Sequence, residues 1–123
     1  MSAEQYVAYS VLMSVYSKEN PAWLKLAIES MQTQTLPTSD FVLVCDGPLT
    51  PELDGVIAEK RRQMGETLTV VRLEKNMGLG NALNEGIRHC RNDLVARIHI
   101  HLLLGADDGA KDEEVMHAIL DVA

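Results

Sequence analysis

A chain of 123 residues has room for one domain with one hydrophobic core and not for two ordinary ones. Hydrophobic residues make up 46% and charged residues 24%, a balance that excludes a disordered chain and predicts a globular fold. The formal net charge of −7 opposes a phosphate backbone, so no nucleic-acid partner is expected, and the short basic cluster Lys60-Arg61-Arg62 reads as a solvated helix face.

From the amino end, MSAEQYVAYS lacks a basic region leading into an apolar segment, and no apolar run approaches membrane-spanning length. A cytoplasmic chain with no transmembrane segment is therefore expected. Tyr9 to Tyr16, YSVLMSVY, is apolar and β-favouring, and reads as a strand buried on both faces. Asn20-Pro21 predicts a helix start, asparagine as cap and proline at the first helical position. Leu24, Ala27, Ile28 and Met31 then recur at helical spacing, and the helix should end near Gln34, before Pro37. Phe41 to Cys45, FVLVC, is a second buried strand, cut off by Asp46-Gly47-Pro48. Thr50-Pro51 repeats the cap-then-proline signal, and Leu53, Val56, Ile57 and Met64 form an apolar stripe behind it. Leu68 to Leu73 predicts a third strand. Asn76 to Gly80 is a glycine-rich turn into a helix carrying Ala82, Leu83, Ile87 and Cys90 on one side. Leu94 to Leu104 supplies a fourth, longer strand, and a last helix fits Asp112 to Val122 with Val115, Met116, Ile119 and Leu120 inward. Cys45 and Cys90 show no disulfide or CxxC spacing and read as reduced thiols.

Strands alternating with helices of this length predict a three-layer α/β/α sandwich around a mostly parallel sheet of about four strands. Ligands of such sheets bind at the carboxyl ends of the strands, near the point where strand order reverses. The candidate site residues are thus those just past each strand: Tyr16 to Glu19, Asp46 to Pro48, Glu74 to Gly80, and His99 onward. Read locally, Asp46-Gly47-Pro48 is a tight turn whose aspartate bonds its own backbone. The amide groups of Asn76 to Gly80, at a helix amino end, can face an anion. In RIHIHLLL, strand alternation places Arg97, His99 and His101 on one face and Ile98, Ile100 and Leu102 on the other. His89 and His117 read as surface residues.

Three of these segments, YSVLMSVYSKE, FVLVCDGPLTPEL and VVRLEKNMGLGNALNEGI, occur in an order and spacing that resembles the amino-terminal, nucleotide-sugar-binding half of family 2 glycosyltransferases with the GT-A fold. The resemblance spans roughly Tyr9 to Arg97 of a single domain, leaving residues 98–123 as a divergent tail. It implies binding of a nucleotide-diphosphate sugar, for inverting sugar transfer in a complete enzyme. It also implies that Val15 and Tyr16 line the base pocket and that Asp46 accepts a hydrogen bond from the base edge. Asn76 and Gly78 would lie beside the nucleotide. A basic residue is frequent in the family where Leu83 stands, and its loss would weaken a diphosphate contact.

The family segment matching VARIHIHLLL reads like VARMDTDD, whose aspartates hold a divalent cation, Mn²⁺ or Mg²⁺, against the sugar diphosphate. Arg97 is retained, but His99 takes the first aspartate position and His101 follows, so the expected acidic site is replaced. Imidazole suits zinc better than those hard cations. A small zinc protein using His99 and His101, with Asp46 or Asp107 as third ligand, is one alternative reading. Asp107-Asp108 is otherwise a polar turn. Beyond Arg97 the family pattern and the acceptor half with its catalytic carboxylate are missing, and truncation or rearrangement of a longer transferase is the expected cause. The other alternative is accordingly a non-catalytic remnant acting as a binding or assembly module. With no second half over the sheet, the stripe of Val115, Ile119 and Leu120 predicts a homodimer.

Overall fold

The computed structural model describes residues 8–98. Four strands and three helices alternate: β1 (Ser10–Val15), α1 (Pro21–Gln32), β2 (Asp40–Cys45), α2 (Pro51–Met64), β3 (Leu68–Arg72), α3 (Leu79–Ile87) and β4 (Val95–Arg97). The capping signals do what their chemistry requires. The Asn20 side chain accepts from the Ala22 amide at 2.8 Å, and Thr50 Oγ1 accepts from the Leu53 amide at 3.2 Å, each just ahead of a first-turn proline. Glu52 and Asp54 in the first turn of α2, and Arg61 and Arg62 in its last, both oppose the helix dipole with the favourable sign.

All four strands are parallel, in the spatial order β3-β2-β1-β4. The chain runs outward from β1 through β2 to β3 and then returns across the sheet to β4, so strand order reverses at β1. Opposite faces of the strands feed separate cores. Val11, Met13, Val15, Phe41, Leu43 and Cys45 pack with Leu24, Ile28, Met31, Leu53 and Ile57 of α1 and α2. Leu12, Val42 and Val44 pack with Ala82 and Leu83 of α3. A Cβ added at Gly86 would lie 2.4 Å from Leu12 Cδ1 and 2.6 Å from Val44 Cγ2, which shows how closely α3 rests on the sheet. The expected three-layer arrangement is therefore present, and helices on both faces explain why β1 and β2 read as continuous apolar runs.

Two buried polar groups tie the layers away from the strand tips. Lys60 is 2% exposed, and its ammonium donates to Glu29 Oε2 at 3.1 Å, Gln32 Oε1 at 2.8 Å and Gln63 Oε1 at 3.2 Å, joining α1 to α2. At the amino end of β2, Asp40 Oδ2 accepts from Ser10 Oγ at 2.6 Å and from the Arg91 amide at 2.7 Å. Its Oδ1 has no hydrogen bond but lies 3.3 Å from Arg91 Nε.

Element ends differ from the sequence reading by a residue or two at β1, α1 and β3. The third helix stops at Ile87, and Cys90 follows in a turn, its amide donating to the Ile87 carbonyl at 3.1 Å. Leu83, expected to mark a lost diphosphate contact, is 8% exposed and belongs to the core against β1 and β2, so at this position the side chain serves packing. The predicted continuation of β4 to Leu104, and the last helix with Val115, Ile119 and Leu120 on which a homodimer would rest, lie outside the described residues.

Candidate functional site at the strand tips

Parallel packing brings the carboxyl ends of β1, β2 and β3 to one edge, where Val15, Cys45 and Arg72 stand in register across three strands. The Asp46 amide donates to the Val15 carbonyl at 2.8 Å, and the Leu73 amide to the Cys45 carbonyl at 3.0 Å, extending the sheet past its last residues. Beyond this point the chain must turn at Gly47, whose φ of +92° is open to glycine and strained for other residues.

The turn at Gly47 meets the loop from β3 to α3. A Cβ at Gly47 would lie 2.7 Å from the Asn76 amide nitrogen and 3.1 Å from the Lys75 carbonyl carbon. Only a residue without a side chain permits that approach. Beside it, Asp46 is 5% exposed, and its carboxylate reaches across to the same loop. Oδ1 accepts from the Met77 amide at 2.6 Å, and Oδ2 from the Gly78 amide at 3.1 Å. Asn76 Oδ1 accepts from the Gly78 amide as well, at 3.1 Å. The Asp46 carboxylate thus holds the segment that leads into α3, while no side chain caps the helix itself.

The sequence-predicted residues fall into two groups. Val15, Asp46, Asn76 and Gly78 come together, with Val15 buried and the loop from Glu74 to Asn81 exposed above Asp46. Tyr16 follows directly on Val15 and is 37% exposed at the same edge. Arg97 stands elsewhere. It pairs with Leu12 in register, so it is exposed on the α3 side of the sheet and separated from Asp46 by the width of β1. His99, His101 and Asp107 lie outside the described residues. Among the described residues no group of three or more His, Cys, Asp or Glu could hold a metal ion. Gly47 and Met77 fall within the candidate segments, but sequence reasoning assigned neither a specific role. The Asp-Gly pair signalled a turn, and the glycine-rich segment signalled amides able to face an anion, but the meeting of Gly47 with Asn76 and of Met77 with Asp46 depends on the fold.

Cys45, at the tip of β2, is not a nucleophile in waiting. Burial pushes its thiol up to about 11, against a smaller opposing pull from Arg72 and a further upward push from Asp54. Arg72 is itself held by Asp54 through a 2.8 Å bond from Nη1 to Oδ1. Two open grooves lie at the other edge of the sheet. One, of about 250 Å³, is lined by Met31, Thr38, Phe41 and Met64 among others, and the second, of about 290 Å³, by Tyr9, Leu36 and Thr38 among others.

An open parallel sheet with its polar loops gathered at the strand tips is a doubly wound α/β domain, which carries its ligand site at that edge. The chain belongs to glycosyl transferase family 2, whose sequence model matches residues 10–115. That match extends past Arg97. A glycosyltransferase of Haemophilus influenzae is 47% identical over 90 residues, covering 73% of this chain and 33% of the relative. The UDP-Gal:alpha-D-GlcNAc-diphosphoundecaprenol beta-1,3-galactosyltransferase of Escherichia coli is 42% identical over 89 residues, covering 72% of this chain and 32% of the relative. The chain thus spans about a third of the length of these relatives. The fold is that of GT-A glycosyltransferases. A Pyrobaculum calidifontis mannosyltransferase solved with GDP-Man and Mn²⁺ superposes with a TM-score of 0.64 at 20% identity, covering 77% of this chain and 28% of that one. S. aureus TarS solved with UDP-GlcNAc gives 0.62 at 25% identity, covering 76% and 26%. No helix among the described residues is long and apolar enough to cross a membrane.

Proposed function

We propose that this domain binds a nucleotide-diphosphate sugar at the carboxyl edge of the sheet, as the donor half of an inverting sugar transfer carried out by a complete enzyme. The supporting observation is the junction of strand tips: Asp46 bonded at once to Val15 and to Met77 and Gly78. Val15, Tyr16, Asp46, Asn76 and Gly78 form the seat for the nucleoside, and Arg97 contributes positive charge from the far side of β1. Tyr16, Met77 and Leu79 are exposed apolar surfaces on the segments that border this seat, and a nucleobase stacks on such surfaces at little desolvation cost. The E. coli relative is named for a UDP sugar, which favours uridine as the base.

A divalent cation of the Mn²⁺ or Mg²⁺ type belongs to the family reading and would offset the charge of a leaving diphosphate. The described residues do not supply its donor set. Titration calorimetry of the chain with UDP and with GDP, each with and without Mn²⁺, tests the reading. Saturable heat with UDP is the expected result, and no binding of either nucleotide under either condition would end it.

A further inference from the structure

We propose that the connection from α3 to β4, together with β4, forms one unit that opens from the sheet as a piece, and that the buried pair Ser10 and Asp40 is the latch that fastens it. The two latch residues stand in register at the amino ends of β1 and β2, and neither is more than 1% exposed. Asp40 Oδ2 accepts from Ser10 Oγ at 2.6 Å and from the Arg91 amide at 2.7 Å. Ser10 Oγ in turn accepts from the Asn92 amide and from Asn92 Nδ2, both at 3.2 Å. Arg91 adds a bond from Nη2 to the Ser39 carbonyl at 2.9 Å, and its Nε lies 3.3 Å from the other Asp40 oxygen, which has no hydrogen bond of its own. The fixed half of the latch thus stands on the two inner strands, and the half that can leave is a connection whose residues are mostly exposed.

Among the described residues β4 is the shortest strand, pairs only with β1, and buries Ala96 together with Ile98 just past it. So small an apolar contact gives β4 little hold of its own, whereas β1 and β2 pair along six residues and are covered by helices on both faces. Much of the fastening is therefore polar. A carboxylate and a hydroxyl at this depth cannot lose one partner alone without being left buried and unpaired, so the bonds break together, with water replacing them once the connection lifts. Opening also breaks the bond from the Ile98 amide to the Leu12 carbonyl, at 3.0 Å, and that from the Ser10 amide to the Leu94 carbonyl, at 2.8 Å. This unit stands independently of the nucleotide reading; on that reading it carries Arg97, so the docked form is the one with the full site.

Hydrogen exchange of the full chain in its native state, followed amide by amide as urea is raised below the unfolding transition, tests the latch. The amides of Ser10, Arg91, Asn92 and Ile98 are expected to share one opening free energy, lower than that of the β2 amides and less dependent on urea, because less surface is exposed. Two variants separate the unit from the whole. Ile57→Val trims the α2 side of the core, which stays packed when β4 alone opens, so β2 amides should exchange about 2- to 12-fold faster while the four latch amides keep their wild-type rates. Asp40→Asn, which keeps one acceptor and exchanges the other for a donor, should speed all four by a common factor of about 10 to 100. The proposal is overturned if the four amides exchange in step with β2 in the wild type, or if Ile57→Val accelerates them as it does β2. It is overturned equally if Asp40→Asn speeds Arg91 and Asn92 but leaves Ile98 unchanged. Should Asp40→Asn fail to fold, the wild-type pattern and Ile57→Val decide between the two outcomes.

Discussion

Replacing Gly47 by alanine tests the junction through its backbone alone. At φ +92° a residue with a Cβ is strained by about 1–3 kcal/mol. The new Cβ would also sit 2.7 Å from the Asn76 nitrogen and 3.2 Å from its Cα, main-chain atoms that cannot rotate aside, and overlap of that kind adds about 1–3 kcal/mol. Alanine recovers about 0.4–1 kcal/mol by restricting the unfolded chain, leaving a net loss of about 1–5 kcal/mol. Gly78 is a matched control, because it shares the φ of +92° but has nothing within 4 Å of an added Cβ. Gly78→Ala therefore carries the backbone strain without the overlap, and its net loss should be about 0–2 kcal/mol. Urea unfolding followed by circular dichroism reads both from the midpoint at unchanged m-value. The reasoning fails if Gly47→Ala shifts the midpoint no further than Gly78→Ala.

Other outcomes follow from the packing and the buried polar groups. Gly86→Ala pushes α3 off Leu12 and Val44, and a loss of about 1–3 kcal/mol is expected in the same assay; an unchanged midpoint would mean the helix is free to shift. Lys60→Ala removes the donor shared by Glu29, Gln32 and Gln63 and leaves a space between α1 and α2, so about 2–4 kcal/mol should be lost, and a neutral variant would contradict the tie. Asp40→Ala strands the Ser10 hydroxyl and the Arg91 amide at the opposite edge, with an expected loss of about 2–4 kcal/mol and no specific change in nucleotide affinity among molecules that remain folded. Burial raises the Cys45 thiol from 9.0 to about 11, so the native state keeps its proton where the unfolded chain releases it. That contribution is complete below pH 9 and is lost as the pH rises towards 11, an effect of about 2–3 kcal/mol. Cys45→Ala should flatten the fall in stability over this range, and an unaltered slope would refute the assignment.

The amino-acid order by itself determined the alternation of strands and helices, because cap-and-proline pairs at Asn20-Pro21 and Thr50-Pro51 and the apolar runs YSVLMSVY and FVLVC act over a few residues. It also determined the edge at which to look, since a parallel sheet gathers its turns at one end and the three ordered segments carry the family likeness. Only the tertiary structure decided what Asp46 does. Its partners are the amides of Met77 and Gly78, 31 and 32 residues away, and main-chain donors leave no mark in residue identity. The same holds for Leu83 and Arg97. Whether a side chain at a given turn of α3 meets the sheet or the solvent depends on how far Gly86 lets the helix descend, and the distance of Arg97 from Asp46 depends on β4 adding beside β1. Local propensity is written residue by residue, whereas the meeting of two loops is settled by strand order and register, which exist only once the sheet has formed.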